Sequence, residues 1–263
     1  MGLVDFHNHV MPGVDDGASD DVETIAALAA FRDQGVIDVV ATPHIEGSLT
    51  LDPDRLAERL AQIDEGWSRL ESIAQDQFPE LRVRRGAEVM LDAPNLDLSD
   101  SRLRLDGGRA ALVEFPYMTV PPHSSQVIEW LAAAGFLPVI AHPERYRGAS
   151  PDPARPRRWR TAGALLQINA GSLTGRYGPA ARENALALLE HGLADFMCSD
   201  FHARGRPSTA RAQQLLSELG ADEHADILTS VNPRLLLAGE TPIPVPPLHV
   251  KRGVWTRVRQ WLG

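Results

Sequence analysis

The sequence predicts an α/β fold whose parallel sheet is either closed as a barrel or open and doubly wound. Seven short apolar runs rich in β-branched residues recur along the 263 residues, and longer helical patterns separate them. This alternation is typical of parallel sheets, because each crossover helix returns the chain to the same end of the sheet. The sequence contains no internal repeat, and no linker divides the predicted core.

The elements are expected in the order in which these patterns occur. Strands are predicted at residues 3–6, 37–42, 81–90, 110–115, 137–141, 165–169 and 195–199. In the first helix, Asp20 is the expected N-cap and Glu23 completes a pattern resembling a capping box. The apolar residues that fall roughly on one side of this helix are Val22, Ile25, Ala29 and Phe31. Further helices are predicted at about residues 53–75, 124–134, 179–191 and 207–219.

The composition excludes several classes of protein. Acidic residues outnumber basic ones, 35 against 26, and the net charge of −9 argues against a broad nucleic-acid-binding face. The single cysteine, Cys198, excludes an internal disulfide framework and fits a reducing compartment. The N-terminus lacks the basic and apolar regions of a secretion signal, and no apolar run approaches the ~18 residues of a membrane span. These observations predict a cytoplasmic protein.

The last 25 residues differ in composition from the rest of the chain. Residues 1–238 are predicted to form the catalytic core, and residues 239–263 an appendage that is first proline-rich and then basic and aromatic. Residues 251–262 have the spacing of a short basic amphipathic helix. Such a helix is expected either to contact an anionic membrane surface or a membrane-bound kinase, or to pack its tryptophans back on the core.

Polar residues collect where the predicted strands end. Five histidines and four carboxylates occupy these strand ends and the loop after the first strand: His7, His9, Asp16, His44, Glu88, Glu114, His142, Asp200 and His202. In an α/β barrel the carboxyl ends of the strands face one mouth. Nine such groups in one cavity would repel each other or bear a large desolvation cost unless cations lay among them.

The spacing and type of these residues predict a catalytic metal site. Alternation along an extended segment places His7 and His9 on one face, and does the same for Asp200 and His202. Nitrogen and oxygen ligands without thiolate suit zinc, manganese or iron, and nine ligands would hold two or three ions with coordination positions left open. Such a site converts bound water to hydroxide near neutral pH and clamps a phosphoryl group during transfer.

Seven motifs in order along the chain carry a resemblance to a known family: FHNHVMPGVDDGASD, ATPH, GAEV, LVEFP, IAHPERY, LLQINAGSLTGRYG and CSDFHARGRP. At these residues the sequence resembles the PHP (polymerase and histidinol phosphatase) superfamily. More closely, it resembles the bacterial tyrosine-protein phosphatases of capsular and exopolysaccharide operons, of the CpsB/CapC type. The resemblance implies a distorted parallel (β/α) barrel with a trinuclear site, most often holding manganese. It also implies hydrolysis of phosphotyrosine on a protein, such as a membrane-associated bacterial tyrosine kinase that controls polysaccharide synthesis.

The resemblance also implies roles for individual residues. One ion would take His7, His9, Glu88 and Asp200; a second would share Glu88 and add Glu114 and His142; a third would take Asp16, His44 and His202. The family's phosphate-binding arginines fall on Arg145 and Arg206. The stretch from His202 to Arg206 is one residue shorter than the family's usual form, which makes Arg204 the alternative second clamp. Asp200 and His202 would belong to the catalytic set as well as to the ligands.

Several alternatives remain open from the sequence. Cys198 and Arg204 have the C-x5-R spacing of cysteine phosphatases, but Asp200 and Phe201 suit the required anion cradle badly. A small-molecule phosphatase acting on a histidinol-phosphate-like ester, an amidohydrolase-like enzyme and a non-catalytic module binding a polysaccharide-assembly kinase would share the same motifs. The aromatic residues that could line the mouth for a tyrosyl ring, or simply pack inside the barrel, are Phe115, Tyr117, Tyr146 and Phe201.

Overall fold

The computed structural model describes residues 2–249, and within this range nine short strands form two parallel sheets. The strands are β1 (Leu3–Asp5), β2 (Val36–Ala41), β3 (His44–Glu46), β4 (Arg82–Arg85), β5 (Glu88–Met90), β6 (Ala110–Glu114), β7 (Leu137–Ala141), β8 (Leu165–Asn169) and β9 (Phe196–Cys198). One sheet has the order β1-β2-β4 and the other β3-β5-β6-β7-β8-β9. Each of the seven predicted runs contains a strand, and β3 lies beyond the predicted end of its run.

Two neighbouring strands are interrupted at the same level. β2 gives way to β3 at Thr42-Pro43, and β4 gives way to β5 at Gly86-Ala87, so that nine strand segments replace the predicted seven. Pro43 cannot donate a ladder hydrogen bond. At Gly86 an added Cβ would lie only 3.1–3.3 Å from the side chains of Leu105, Val40 and Thr42, which favours glycine at this position. Both interruptions are bridged by backbone hydrogen bonds, from Gly86 to Ala41 (2.9 Å) and from Glu88 to Pro43 (3.0 Å).

The first and last strands are joined beyond their carboxyl ends. The backbone N–H of Asp200 donates to the carbonyl of His7, and that of His9 donates to the carbonyl of Phe201, both at 2.8 Å. The two sheets therefore surround a common interior as a distorted ring of seven strand positions. This arrangement confirms the predicted α/β class and places the carboxyl ends of all the strands at one mouth.

The helices surround these sheets. They are α1 (Asp21–Asp33), α2 (Pro53–Gln77), α3 (Ser124–Ala133), α4 (Ala154–Thr161), α5 (Ala170–Leu173), α6 (Gly178–Glu190), α7 (Thr209–Glu218), α8 (Asp222–Asp226) and α9 (Asn232–Leu237). The five predicted helices are present with ends within two residues, and Asp20 caps α1 through Val22 and Glu23. On the predicted apolar side of α1, Phe31 is buried and Ile25 and Ala29 pack against the core, whereas Val22 is 74% exposed. The buried residues of α1 are Thr24, Ala27, Leu28 and Phe31.

The described part of the proline-rich segment packs on the base of the barrel. The N–H of Leu248 donates to the carbonyl of Leu189 at the end of α6 (2.9 Å), and Val245 is also buried. The N–H of Ile243 donates to Asn232 in α9 at 2.8 Å. The predicted amphipathic helix at residues 251–262 lies outside the described residues. Among residues 2–249, no helix is both long and apolar enough to cross a membrane.

Candidate metal centre

All nine side chains predicted as ligands meet at the carboxyl ends of the strands. They fall into four overlapping groups in which the potential ligand atoms lie within 4.8 Å of one another. The groups are His9, Asp16, His44 and His202; His7, Glu88 and His142; His7, His9 and Asp200; and His44, Glu88 and Glu114. The convergence follows from the fold, because each ligand lies at or just beyond a strand end, apart from Asp16 in the loop after β1.

The most buried group has the spacing of ligands around one ion. Nε2 of His7 lies 3.1 Å from Oε2 of Glu88 and 3.4 Å from Oδ1 of Asp200. Nε2 of His9 lies 3.4 Å and 3.5 Å from the same two oxygens. Metal–ligand bonds of about 2.0–2.2 Å separate tetrahedral ligands by roughly 3.3–3.6 Å. The four atoms could therefore bind a common cation without large movement.

Glu88 and His44 connect this group with the others. Oε1 of Glu88 lies 3.1 Å from Nε2 of His142, so the two oxygens of this carboxylate face different histidines. Nδ1 of His44 lies 3.2 Å from Oε2 of Glu88 and 3.3 Å from Oε1 of Glu114. Its Nε2 faces Asp16 at 3.6 Å, and Asp16 in turn lies 3.3 Å from Nε2 of His202. His44 thus stands between two candidate ion positions rather than in only one.

The donor atoms themselves fit a cation. Nε2 of His7, Nε2 of His9, Nδ1 of His44 and Oε2 of Glu88 are buried and have no hydrogen-bond partner. Although burial opposes protonation, the Glu88 and Asp200 carboxylates raise the pKa of His7 to about 9. The cluster therefore requires positive charge, which either protons or bound cations must supply. Unpartnered lone pairs at ligand spacing favour divalent ions.

Two of the ligands occupy unusual backbone conformations. His142 has φ 36° and Asp200 has φ 51°, in the left-handed region that favours glycine. Such residues cost free energy and persist where the surrounding structure holds them. The N–H of Asp200 is held by the carbonyl of His7, which fixes these two ligands relative to each other.

Three residues that the sequence did not predict orient the ligands from outside. Asp15 accepts a hydrogen bond from Nδ1 of His9 at 2.7 Å and another from the backbone N–H of His44 at 3.0 Å. Burial favours the neutral acid, yet His9 holds the pKa of Asp15 below its usual range. Oε1 of Gln167 lies 2.7 Å from Nδ1 of His7, and the amide of Asn169 donates to Oδ2 of Asp200 at 2.7 Å. These contacts leave Nε2 of both buried histidines facing the cluster.

We expect Asp15→Asn to lower metal affinity about 10- to 100-fold, the range typical of residues that orient a metal-ligating histidine. The asparagine keeps the shape of the side chain but loses the negative charge that fixes the tautomer of His9. Titration of the metal-free protein with Mn²⁺ measures the effect, and Asp76→Asn, on the exposed face of α2, is the matched control. Equal affinities in the two variants would show that Asp15 does not orient the ligand.

Of the predicted phosphate-binding arginines, only Arg145 contacts the cluster. Its guanidinium donates to Oδ2 of Asp200 and stacks on the ring of Tyr177, 3.9 Å from the ring centroid. Arg204 and Arg206 are both exposed on the loop after β9. Within residues 2–249 neither has a hydrogen bond or ion pair to the ligands, so the structure does not bring the second arginine to them.

Of the two roles left open for the four aromatic residues, packing inside the barrel describes three. Phe115, Tyr146 and Phe201 are at most 2% exposed. The Tyr146 hydroxyl accepts a hydrogen bond from the N–H of Phe115 at 3.0 Å, and both rings pack near Trp159. The rings of Phe115 and Tyr146 fill space next to α4, whereas the ring of Phe201 packs on Phe31 of α1. Tyr117 is the exception, with 84% of its surface exposed.

The cysteine-phosphatase alternative fails on geometry. Cys198 is fully buried in β9, and burial raises the pKa of its thiol well above the usual value. A nucleophilic cysteine needs an accessible thiolate in an electropositive site. Arg204, the other end of the C-x5-R spacing, is exposed to solvent. Cys198 is a small buried residue of the core.

Comparison with known proteins agrees with this geometry. Residues 3–238 match the family model described as capsular polysaccharide synthesis, CpsB/CapC. The chain belongs to the CpsB/CapC family. Among curated CpsB/CapC relatives, the tyrosine-protein phosphatase YwqE of Bacillus subtilis is 33% identical over 253 residues, which is 95% of this chain and 97% of YwqE. The tyrosine-protein phosphatase CpsB of Streptococcus pneumoniae is 27% identical over 245 residues, covering 89% and 98% of the two chains.

Solved structures of CpsB/CapC proteins are also similar to this chain in fold. A chain from the crystal structures of YwqE and CpsB, described as unique metal-dependent tyrosine phosphatases, matches with a TM-score of 0.76 and 30% identity over 95% of this chain and 100% of that one. An organophosphorus hydrolase variant from Deinococcus radiodurans matches with a TM-score of 0.51 and 17% identity over 90% and 92% of the chains. The second likeness concerns the fold alone. The predicted family is confirmed.

Proposed function

We propose that this CpsB/CapC protein is a metal-dependent phosphatase that hydrolyses phosphotyrosine in proteins. The observation that carries the proposal is the cluster of nine converging ligands, whose central donor atoms are buried and unpartnered. The relatives YwqE and CpsB are named tyrosine-protein phosphatases, and the match to YwqE spans nearly the whole of both chains. A phosphomonoesterase function fits both observations.

The proposed ion positions are those that the family resemblance implies. His7, His9, Glu88 and Asp200 would hold one ion, Glu88 with Glu114 and His142 a second, and Asp16, His44 and His202 a third. The contacts of His44 with Glu88 and Glu114 would bring it close to the second ion as well. When bound, divalent ions lower the pKa of coordinated water and neutralise charge on the phosphoryl group. We propose manganese, with zinc and iron as alternatives that suit the same nitrogen and oxygen donors.

The arginine beside the cluster would bind the phosphate. The Arg145 guanidinium is held by Asp200 and by the Tyr177 ring, so its planar face and remaining N–H groups have a fixed direction. Two parallel donors match two phosphate oxygens. A tyrosyl leaving group has a pKa of about 10, so it depends less on a strong general acid than an alkyl alcohol does.

Arg145→Ala should lower kcat/KM for a phosphotyrosyl peptide about 100-fold or more while leaving the metal content unchanged. The expected loss is that of a bidentate, charge-assisted contact with the phosphate. Steady-state kinetics and metal analysis measure the two quantities, and Arg157→Ala on the exposed face of α4 is the matched control. Loss of metal would make Arg145 a structural residue instead. The same assay on Arg206→Ala and Arg204→Ala decides which of them is the second clamp.

The substrate class is tested with one metal-reconstituted sample and three substrates. We expect kcat/KM to be highest for a phosphotyrosyl peptide, lower for a phosphoseryl peptide and lower again for histidinol phosphate. A preference for histidinol phosphate would favour a small-molecule phosphatase. No turnover of any phosphomonoester by the metal-loaded protein would favour a regulatory module that binds a polysaccharide-assembly kinase.

We also propose where the protein acts. The protein is a cytoplasmic enzyme in this proposal, its phosphotyrosyl substrate is a membrane-associated tyrosine kinase, and residues 1–238 are the catalytic unit. Residues 251–262 would contact the kinase or an anionic membrane, the alternative being that their tryptophans pack back on the barrel. Deleting residues 249–263 should preserve small-ester turnover and the thermal midpoint while abolishing co-sedimentation with the kinase or anionic vesicles. A large drop in midpoint with co-sedimentation unchanged would favour the alternative.

A further inference from the structure

A cleft of about 360 Å³ opens beside the candidate metal centre. Two of the residues that line it, His44 and Glu114, are themselves candidate ligands. It lies over the carboxyl ends of three adjacent strands, because Glu46 of β3 is paired with Met90 of β5, and Met90 with Glu114 of β6. A group in this cleft would therefore lie next to a phosphate in the metal centre.

The inner walls of this cleft are apolar. Ile45 and Leu49 are 2% and 6% exposed, and Met90 is half-buried. An apolar cavity of about 150 Å³ accepts benzene, so the available space admits a phenyl ring. The flexible thioether of Met90 makes favourable contacts with aromatic rings. These three of the seven lining residues give an aromatic ring an apolar contact, beside the ionisable His44, Glu46, Arg59 and Glu114.

One cation, Arg59 of α2, stands at the edge of the cleft. Its Nη2 donates to the backbone carbonyl of His44 at 2.9 Å and its Nη1 to Oε1 of Gln62 at 3.2 Å. These bonds fix the direction of the guanidinium but use only part of its five N–H donors. Arg85 and Arg102, by contrast, both pair with an aspartate, Asp64.

Arg59 has no comparable partner. Within residues 2–249 it forms no ion pair with a carboxylate. Glu46 also lines the cleft, but it is exposed to solvent and forms no ion pair with Arg59 in the described part of the chain. Water screens the exposed Glu46 charge, whereas an anion hydrogen-bonded to Arg59 would contact it directly. The guanidinium is therefore available to an anionic group of a ligand.

We propose that this cleft binds the aromatic ring of the phosphotyrosyl substrate and that Arg59 binds a carboxylate adjacent to that residue in the peptide. The inference rests on the proposed phosphatase function and adds a substrate class to it, namely phosphotyrosine beside acidic residues. The ring lies against Leu49 and Met90 while the phosphate occupies the metal centre. Arg59 is a specificity residue, because it would contact a neighbouring carboxylate of the peptide and not the phosphate that reacts.

The test compares phenyl phosphate with two phosphotyrosyl peptides that differ only in whether the flanking residues are Asp and Glu or Asn and Gln. Arg59→Ala should lower the ratio of kcat/KM for the acidic peptide to kcat/KM for the amide peptide about tenfold or more, through KM. Any loss that comes from its bond to the carbonyl of His44 should be the same for all three substrates. Arg55→Ala, one turn earlier on α2 and exposed, is the matched control. An equal loss on all three substrates, or no loss on the acidic peptide, would overturn the role of Arg59.

A second variant tests the ring site separately. Met90→Ala should lower the ratio of kcat/KM for phenyl phosphate to that for an alkyl phosphate, because the alkyl ester lacks the ring that contacts the thioether. An unchanged ratio at full metal content would overturn the ring site. Failure of the proposed function is a different result, since the wild-type, metal-loaded protein would then hydrolyse none of these esters.

Discussion

Replacing Glu88 with glutamine should abolish phosphatase activity and reduce the number of metal ions that each chain binds. Oε2 of Glu88 lies within 3.4 Å of nitrogens of His7, His9 and His44, while its Oε1 lies 3.1 Å from His142. Glutamine keeps the volume but removes the negative charge and turns one acceptor into a donor that faces these histidines. Because one carboxylate serves several ion positions, we expect a loss well above the about 10–100-fold typical of residues outside the ligand set.

Three measurements together make this result interpretable. Metal analysis, kcat/KM for a phosphotyrosyl peptide and thermal unfolding are compared between Glu88→Gln and Glu129→Gln, an exposed position on α3. We expect the control to match the wild type in all three. A Glu88→Gln variant with full metal content and wild-type turnover would contradict the central position given to this carboxylate.

Removing the metal should have an effect just as large. Dialysis against a chelator is expected to reduce phosphatase activity to background, and adding Mn²⁺ should restore it, because the central donor atoms are buried, unpartnered and spaced as ligands of a cation. Zn²⁺ and Fe²⁺ in the same assay identify which ion supports turnover. Activity is followed with a phosphotyrosyl peptide throughout.

Cys198 provides the control for this experiment. Cys198→Ser and Cys198→Ala should both keep activity, since the thiol is fully buried and its pKa is raised by that burial. Serine places a hydroxyl in the core and alanine does not, so comparing the two variants separates loss of the thiol from the cost of burying a hydroxyl. Folded but inactive Cys198 variants, together with a wild type that resists chelators, would restore the cysteine mechanism.

The ligands could be predicted from the sequence because the ends of the strands can be predicted, and the ligands lie there. Each of His44, Glu88, Glu114 and His142 follows or ends an apolar run, and parallel topology brings such positions together. Which nitrogen of His44 faces which carboxylate could not be predicted. It depends on the break in the strand at Pro43 and on side-chain rotamers, which a linear pattern does not contain.

Other features left weak signals in the sequence. Asp15 was missed because its contacts with the ring of His9 and with the backbone of His44, 29 residues away, leave no mark in a pair of adjacent aspartates. Helix α4 was missed because four of the eight residues in its sequence, ARPRRWRT, are arginines and only Pro156 and Trp159 are buried. In α1 the pattern of apolar residues did not reveal that Thr24 is buried. Its hydroxyl donates to the carbonyl of Val10 at 2.9 Å. A buried polar residue that bonds to a distant backbone group does not appear in a pattern of apolar residues.

Both ends of the described chain lie at the base of the barrel, opposite the metal centre. The carbonyl of Gly2, just before β1, accepts hydrogen bonds from Ser230 and Arg234, and Leu248 is bonded at the end of α6. A tag joined before Gly2 would therefore leave the mouth unobstructed. Molecules immobilised through that end would present their catalytic face outward, so phosphopeptides in solution could be assayed against an oriented monolayer.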